Sequence, residues 1–251
     1  MLTVPDLEAP GLRHGFFTRQ GGVSEGAFAS RNCGFAAGDA PERVRENRAR
    51  SMAALGLPAA ALMTLRQVHS PTVVTVREPW DTGTGPAADA VVTDRPDLAL
   101  GILTADCAPV LLVDAEAGII AAAHAGWRGA LDGVLEAAVA AMRALGARPS
   151  RVAAAVGPCI AQASYEVGPE FRARFAAVGA EDLFRPGAGD RFLFDLAGLV
   201  RRRLESAGVG RIAGCDRDTC AEAEDFFSYR RAVRAHESAY GSNLSAIALA
   251  R

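Results

Sequence analysis

The chain has 251 residues, of which 50% are hydrophobic and 22% charged, an ordinary globular composition that predicts one compact domain over residues 1–251. A formal net charge of −2 gives no overall positive field, so binding to nucleic acid or to an anionic membrane is not expected. All 27 basic residues are arginine, which excludes every mechanism that needs a lysine ε-amine, such as a Schiff base or a P-loop.

The start of the chain and its cysteines predict a cytoplasmic protein. Asp6 and Glu8 stand where a signal peptide needs a basic segment followed by an apolar one. The most apolar stretch, residues 98–127, is interrupted by acidic residues, so we expect no membrane helix. Five cysteines without CxxC spacing argue against disulfides and against a zinc ribbon.

In chain order, the pattern first predicts a helix over residues 38–56, with Asp39 and Glu42 in capping-box spacing and Gly56 after its end. Short β-rich runs follow at residues 72–76, 90–94, 98–104, 109–114 and 118–124. A continuous apolar face predicts one helix over residues 127–146. The remaining predicted elements are a strand at 151–156, helices over 169–177 and 195–207, and a closing strand at 243–250. Neighbouring strands without helices between them favour an α+β class built in layers.

Three side chains at predicted strand ends are candidate metal ligands. His69 ends an extended run, Cys107 closes the segment ILTADC, and His124 ends the apolar strand GIIAAAH. Strand ends of neighbouring strands converge in space, and two histidines with one cysteine suit zinc. Three protein ligands would leave a fourth position free, as in catalytic zinc sites.

Two other interpretations of the same residues stay open. Cys107 would be a nucleophile if only one of the two histidines approached its sulfur and served as its base. It would be a buried apolar thiol, with both histidines hydrogen-bonded in the core, if no site existed. Whether both imidazoles reach the sulfur distinguishes a metal site from a catalytic dyad.

A glycine-rich turn follows His124 in the segment HAGWRG. Gly126 and Gly129 allow close backbone approach at a helix N-terminus, where free N–H groups favour an anion. Arg128 lies in the same turn, so a phosphate group could bind there beside the metal. The alternative is that the glycines only permit a tight turn and that Arg128 faces water.

Several motifs together resemble the YfiH-like or laccase-domain family, also called multicopper polyphenol oxidase-like. They extend from about residue 12 to the C-terminus and comprise RNCGFAAGD, VRENR, RQVH, ADAVVTD, LTADCAPVLLVD, HAGWRG, GPCI, YEVG and FFSYRR. After FFSYRR the family pattern has a shorter turn than this chain, so the resemblance assigns no role to residues 232–245.

The resemblance implies a layered α/β/β/α domain related to the catalytic domain of cytotoxic necrotizing factor. It implies a zinc ion held by His69, Cys107 and His124, and purine nucleoside phosphorylase activity on adenosine, inosine and methylthioadenosine, with adenosine deaminase activity as well. Purine nucleoside and phosphate would then be the partners. For phosphate we expect Arg128, as a catalytic residue, with the Gly126–Gly129 turn, or Arg66. Gln67 and Asp106 are further candidate substrate-binding residues and would orient the ligands beside them.

The family also carries other functional labels. A polyphenol oxidase needs many copper-binding histidines, and this chain has four, so that label would require copper bound in place of zinc as a weak activity. The remaining alternatives are a Cys–His thiol hydrolase, a peptidoglycan-precursor editing enzyme and a non-catalytic metal- or metabolite-binding protein.

Overall fold

Two β-sheets packed face to face form the centre of the structure, a computed structural model that describes residues 1–176 and 178–249. Its helices are α1 (Pro41–Ala54), α2 (Trp127–Asp132), α3 (Val134–Ala144), α4 (Pro169–Ala176), α5 (Leu196–Ser206) and α6 (Tyr229–Arg234). Its strands are β1 (Leu12–Phe16), β2 (Leu62–Thr64), β3 (Val73–Thr75), β4 (Ala90–Thr93), β5 (Ala99–Thr104), β6 (Ala108–Asp114), β7 (Ile119–Ala125), β8 (Ala153–Val156), β9 (Glu166–Val167), β10 (Phe184–Pro186), β11 (Phe192–Phe194), β12 (Arg211–Gly214) and β13 (Asn243–Leu249).

The strand order shows where the chain passes from one sheet to the other. One sheet has the order β1-β13-β5-β2 and the other the order β12-β8-β6-β7-β4-β3, with β10-β11-β9 as a small separate sheet. Consecutive strands β2 and β3 therefore lie in different sheets, and so do β5 and β6. Because β2 and β5 are parallel neighbours, both crossings leave the four-stranded sheet at the same end.

Alternate residues of the strands fill two different cores. On β7, Ile120 and Ala122 face the space between the two sheets, while Ala121 and Ala123 belong to the core shared with α3 and α5. The outer face of the four-stranded sheet packs on α1 through Met52. These layers run helix, sheet, sheet, helix, so the predicted α/β/β/α arrangement of the α+β class is confirmed.

Most predicted elements are confirmed to within two residues, and two differ for local reasons. The helix predicted over 127–146 is broken at Gly133, which adopts φ 98° and ends α2 before α3 begins. The capping box is wrong because α1 begins after Ala40, and the Asp39 carboxylate instead accepts hydrogen bonds from Ser24 and Asn32. Gly56 follows the helix with φ 69°, as predicted.

The ends of two predicted elements fall outside the described residues. The helix predicted over 169–177 runs to Ala176, and the closing strand predicted over 243–250 runs to Leu249; residues 177 and 250 lie outside the described part. The strands that the pattern missed have two to five residues, too few for a period of two to show. Among the described helices, none has both the length and the apolarity needed to cross a bilayer.

Candidate metal centre

His69, Cys107 and His124 meet at the end of the two sheets where the chain crosses between them. His69 lies in the crossing from β2 to β3, Cys107 in the crossing from β5 to β6, and His124 on β7, which pairs with β6. Their ligand atoms all lie within 4.8 Å of one another, and Cys107 Sγ is 3.8 Å from His69 Nε2. The two imidazole rings are 4.7 Å apart at 77°. The expected convergence of the three side chains is therefore confirmed, and both imidazoles reach the sulfur.

The backbone around the three side chains is shaped for close approach. His69 has φ 59°, a left-handed conformation that a non-glycine residue rarely adopts. A Cβ on Gly126 would come within 2.8 Å of the His69 ring and 3.0 Å of the Cys107 sulfur. Only glycine leaves room for both ligands at this position, so the close approach predicted for Gly126 is made by the ligand side chains themselves.

Asp89 is hydrogen-bonded to two of the candidate ligand residues, His124 and His69. It is fully buried at the start of β4, and its carboxylate lies 2.8 Å from His124 Nδ1. The same carboxylate accepts hydrogen bonds from the backbone N–H groups of Val68, His69 and Ser70 and from the Ser70 hydroxyl. These bonds hold the strained turn at His69 and direct Nε2 of His124 toward the site, as in carboxylate–histidine–metal arrangements.

The electrostatics favour a thiolate at Cys107. Burial alone would raise the pKa of Cys107, but His124 and His69 beside it lower that pKa below its usual value. Burial alone would lower the pKa of His124, while the Cys107 thiolate and Asp89 raise it. Burial opposes ionisation of Asp89 as well, yet hydrogen bonds from His124, Ser70 and His69 hold its pKa far below the ordinary range.

The donor set fits a borderline-soft divalent metal ion. Two imidazole nitrogens and a thiolate are ligands that zinc and copper accept. Access is graded, because His69 is exposed, Cys107 half-buried and His124 buried. A metal ion held by the three side chains would keep an open position toward solvent, as catalytic sites do.

The structure places Gln67 and Asp106 in roles that support the backbone. The Gln67 amide both donates to and accepts from the backbone of Leu103 at the end of β5. Asp106 has φ 89° and accepts hydrogen bonds from the Thr219 hydroxyl and from the N–H of Arg230. Both residues therefore fix the crossing that carries Cys107.

The start of α2 is less favourable for an anion than the sequence suggested. The helix has six residues, and Arg128 is exposed with its guanidinium 5.2 Å from the Trp127 ring centre. Gly129 is buried, and a Cβ there would make ordinary contacts with the backbone oxygens of Ser70 and His124. Arg66 is exposed and lines a cavity that the start of α2 does not line.

Three cavities lie in series through the site. An aromatic cavity of about 440 Å³ contains His69 and Cys107 together with Trp127, Tyr165 and Phe171. A middle cavity of about 380 Å³ contains all three candidate ligands. It shares Gln67, Leu103, Tyr240 and Ser242 with a polar cavity of about 600 Å³, which we call the arginine cavity because Arg48 and Arg66 line it.

Sequence reasoning assigned no role to several residues of the site. Asp89 had a detectable signal, an acid between two alanines at the start of an apolar strand in the segment ADAVVTD. Arg48 stood in the VRENR segment of a helix and gave no sign that it would be buried. Tyr229 and Tyr240, whose rings meet 5.2 Å apart, come from segments that only the fold brings to the site.

Comparison with known proteins identifies the family of the chain. Residues 13–250 match a family model described as multi-copper polyphenol oxidoreductase laccase. The chain is 45% identical over 233 residues to a purine nucleoside phosphorylase of Deinococcus radiodurans, covering 92% of this chain and 87% of that protein. It is 41% identical to the purine nucleoside phosphorylase YfiH of Escherichia coli, covering 92% and 93%.

The chain belongs to the laccase-like YfiH family. Solved structures in the family share its fold. A protein from Neisseria meningitidis is 39% identical with a TM-score of 0.86, covering 97% of this chain and 96% of that one. YlmD from Geobacillus stearothermophilus is 29% identical with a TM-score of 0.89, covering 99% and 94%.

Proposed function

We propose that this YfiH-family chain acts as a single catalytic domain over residues 1–251 and is a zinc-dependent purine nucleoside phosphorylase. The observation that carries the proposal is that both imidazoles reach the Cys107 sulfur between an aromatic cavity and a cavity rich in arginine. A catalytic dyad would need only one of them. Relatives named purine nucleoside phosphorylase support the same activity.

The proposed reaction transfers a ribosyl group to phosphate. An oxygen of phosphate forms a bond to the anomeric carbon of inosine as the bond from that carbon to N9 breaks. The purine takes the electron pair and then a proton, so the products are hypoxanthine and ribose 1-phosphate. Adenosine and methylthioadenosine are proposed as further substrates by the same chemistry.

The residues of the chain would bind and orient the two substrates. The aromatic side chains Trp127, Tyr165 and Phe171 offer a surface for a purine ring and exclude water from one side of the site. His69, Cys107 and His124 would hold the zinc ion, which supplies a Lewis acid to a substrate oxygen when bound. Copper is the other metal that this donor set would accept.

Phosphate could bind at either of two places that the sequence indicated. One is the turn at the start of α2, with Arg128, Gly126 and Gly129. The other is the arginine cavity, where Arg66 lies beside Gln67. Both adjoin the candidate ligands, and orientation of the anion by fixed donors is the main requirement for phosphorolysis.

Product analysis with zinc-replete protein tests the proposal. We expect inosine and phosphate to give hypoxanthine and ribose 1-phosphate, at a rate that saturates with phosphate concentration. Hypoxanthine release that is unchanged in phosphate-free buffer would indicate hydrolysis instead. No consumption of inosine or adenosine would contradict the enzyme proposal, and the thiol hydrolase and binding-protein alternatives would then be favoured.

Adenosine deaminase activity at the same centre is a finer part of the proposal. Water would replace the amino group at C6 of adenosine, giving inosine and ammonia. Conversion of adenosine to inosine by the wild type would support it, provided that the His69→Ala variant does not catalyse this conversion. Adding phosphate or ribose 1-phosphate should not restore the conversion in that variant. Adenine and ribose 1-phosphate as the only products from adenosine, without inosine, hypoxanthine or ammonia, would show that this activity is absent.

A thiol hydrolase is the second candidate, because Cys107 is half-buried and its pKa is lowered, as a nucleophile requires. Alkylation by iodoacetamide separates the two. With zinc bound we expect slow alkylation of Cys107 and fast alkylation after chelation, since a coordinated thiolate is protected. Fast alkylation in the zinc-loaded protein would favour the nucleophile.

A further inference from the structure

The arginine cavity contains a buried positive charge that no carboxylate of the described residues neutralises. Arg48 projects from α1 and is 3% exposed. Its Nε donates to the carbonyl of Cys33 at 2.8 Å and its Nη1 to the Thr64 hydroxyl at 3.0 Å, both uncharged acceptors. Within the described residues, its Nη2 has no hydrogen-bond partner and Arg48 takes part in no ion pair.

Burying an unpaired guanidinium is costly, so a natural counter-ion is expected. The Phe35 ring, 4.4 Å from the guanidinium carbon, offsets part of that cost through a cation–π contact. Burial lowers the pKa of Arg48 to about 10, which still leaves the group charged at neutral pH. A ligand anion would supply the missing charge.

The rest of the cavity lining has the composition of an oxyanion site. Arg66 lies in the same cavity, and its side chain has no ion-pair partner in the described part of the chain. Hydroxyl groups of Thr64, Ser238, Tyr240 and Ser242 also line it. None of the described residues that line this cavity is acidic. Two cations and several hydroxyl donors without a carboxylate favour a small, multiply charged anion.

The arginine cavity opens onto the candidate metal centre. Gln67, Leu103, Tyr240 and Ser242 line both it and the middle cavity that holds His69, Cys107 and His124. The aromatic cavity shares His69 and Cys107 with the middle cavity and shares no described lining residue with the arginine cavity. An anion beside Arg48 and a purine beside Trp127 would thus reach the centre from two separate cavities.

We infer that the arginine cavity is the binding site of orthophosphate, with Arg48 as its buried anchor and Arg66 at its mouth. The inference rests on the proposed phosphorolysis, in which free phosphate must reach the anomeric carbon. It places phosphate at Arg48 and Arg66, away from Arg128 and the turn at the start of α2.

Calorimetric titration of the zinc-loaded protein with orthophosphate, without nucleoside, tests this site. Arg66→Gln is an exposed change that leaves the core intact, and Arg48→Lys keeps the buried charge but loses the planar donor pair. We expect each variant to raise the Kd for orthophosphate roughly ten- to hundredfold. Arg50→Gln is the matched control, because Arg50 lies on the same helix, is exposed and is paired with Glu46. Its Kd should match that of the wild type.

Several results would overturn the inference. One is that the wild type shows no detectable binding of orthophosphate at millimolar concentration. Another is that the Kd is unchanged in Arg66→Gln and in folded Arg48→Lys. A third is that binding is lost only in Arg128→Gln. Binding of inosine 5′-monophosphate but not of orthophosphate would also overturn it, since the cavity would then recognise a phosphate ester.

Steady-state kinetics separates this inference from the proposed function. If inosine is phosphorolysed but the KM for phosphate is unchanged in both cavity variants, the inference fails while the function stands. If both variants lose orthophosphate binding but the wild type does not cleave inosine, the site stands and the proposed reaction fails.

Discussion

At the scale of single residues, Asp89 connects folding to the chemistry of the centre. Its carboxylate is hydrogen-bonded to the His124 ring and also accepts hydrogen bonds from three consecutive backbone N–H groups around His69. A neutral or apolar residue could not satisfy these converging donors in a buried position. The left-handed conformation at His69 is thus held by the same group that orients the other histidine.

Asp89→Asn should weaken both the fold and the metal site. The new NH₂ group would face donors, so we expect a loss of about 1–3 kcal/mol in the free energy of unfolding and roughly ten- to hundredfold weaker zinc binding. Asp114→Asn is the control, because Asp114 is equally buried and accepts backbone hydrogen bonds far from the centre. Urea unfolding and zinc titration measure the two effects. Equal zinc affinity in both variants would show that Asp89 has no part in the site.

Asp114 should make part of the free energy of unfolding depend on pH in the acid range. Burial by itself would raise the pKa of Asp114. Hydrogen bonds from the N–H groups of Arg148 and Ala117 and from the Arg151 side chain have the larger effect and hold this pKa below its usual value. A carboxyl group with a depressed folded-state pKa stabilises fully above its unfolded pKa of about 3.9, and this contribution is lost as the pH falls through the folded value.

The stability difference between wild type and Asp114→Asn should therefore shrink in acid. We expect this difference to be constant from pH 7 to about pH 5 and to diminish toward pH 3. Protonation of Asp114 in the wild type removes the carboxylate interactions that the Asn variant lacks at every pH. Urea unfolding at a series of pH values measures the difference. A gap that stays constant down to pH 3 would contradict the assignment.

At the scale of secondary-structure elements, Gly133 divides the segment that the sequence predicts as one helix. Its φ of 98° ends α2, and α3 then begins at Val134 and packs against the six-stranded sheet. The apolar face predicted for the long helix survives in α3, where Val134, Leu135, Ala138 and Met142 are buried. The break leaves α2 as a short separate helix beside the candidate metal ligands.

Two glycines of this segment should respond oppositely to alanine. Gly133→Ala should cost about 1–2 kcal/mol, because the left-handed conformation is unfavourable for alanine although its Cβ would have room. Gly129→Ala should be neutral or stabilise by up to about 1 kcal/mol, since it lies within α2 and its Cβ would make ordinary contacts. Thermal or urea unfolding compares them. Equal effects of the two changes would contradict the role of the backbone conformation.

At the scale of the whole molecule, the candidate metal centre lies where the chain joins the two sheets. His69 and Cys107 are in crossings that leave the four-stranded sheet, and His124 is on the six-stranded sheet. A bound metal ion would therefore link both sheets. The cores between and outside the sheets do not depend on it, so the protein should stay folded without metal.

Zinc should raise the thermal midpoint of the chelator-treated protein. Free zinc at about one hundred times its Kd stabilises by about 2.7 kcal/mol, which corresponds to roughly 5–10 °C for a chain of this size. His69→Ala should remove most of this shift while the circular dichroism spectrum stays the same. An undiminished shift in the Ala variants of His69, Cys107 and His124 would place the zinc elsewhere.

The sequence by itself determined the α+β class, the principal strands and helices, and the three candidate ligands. These follow from local causes: alternating and helical apolar periods, glycine at helix ends, and chemically distinctive side chains at the ends of strands. The tertiary structure decided the rest. Contacts between segments far apart in the chain bury Arg48 and bring hydrogen-bond donors together around the Asp89 carboxylate. The contact between Tyr229 and Tyr240 likewise depends on the fold. No local pattern records such contacts, because they are fixed only when the two sheets pack and the crossings between them come together.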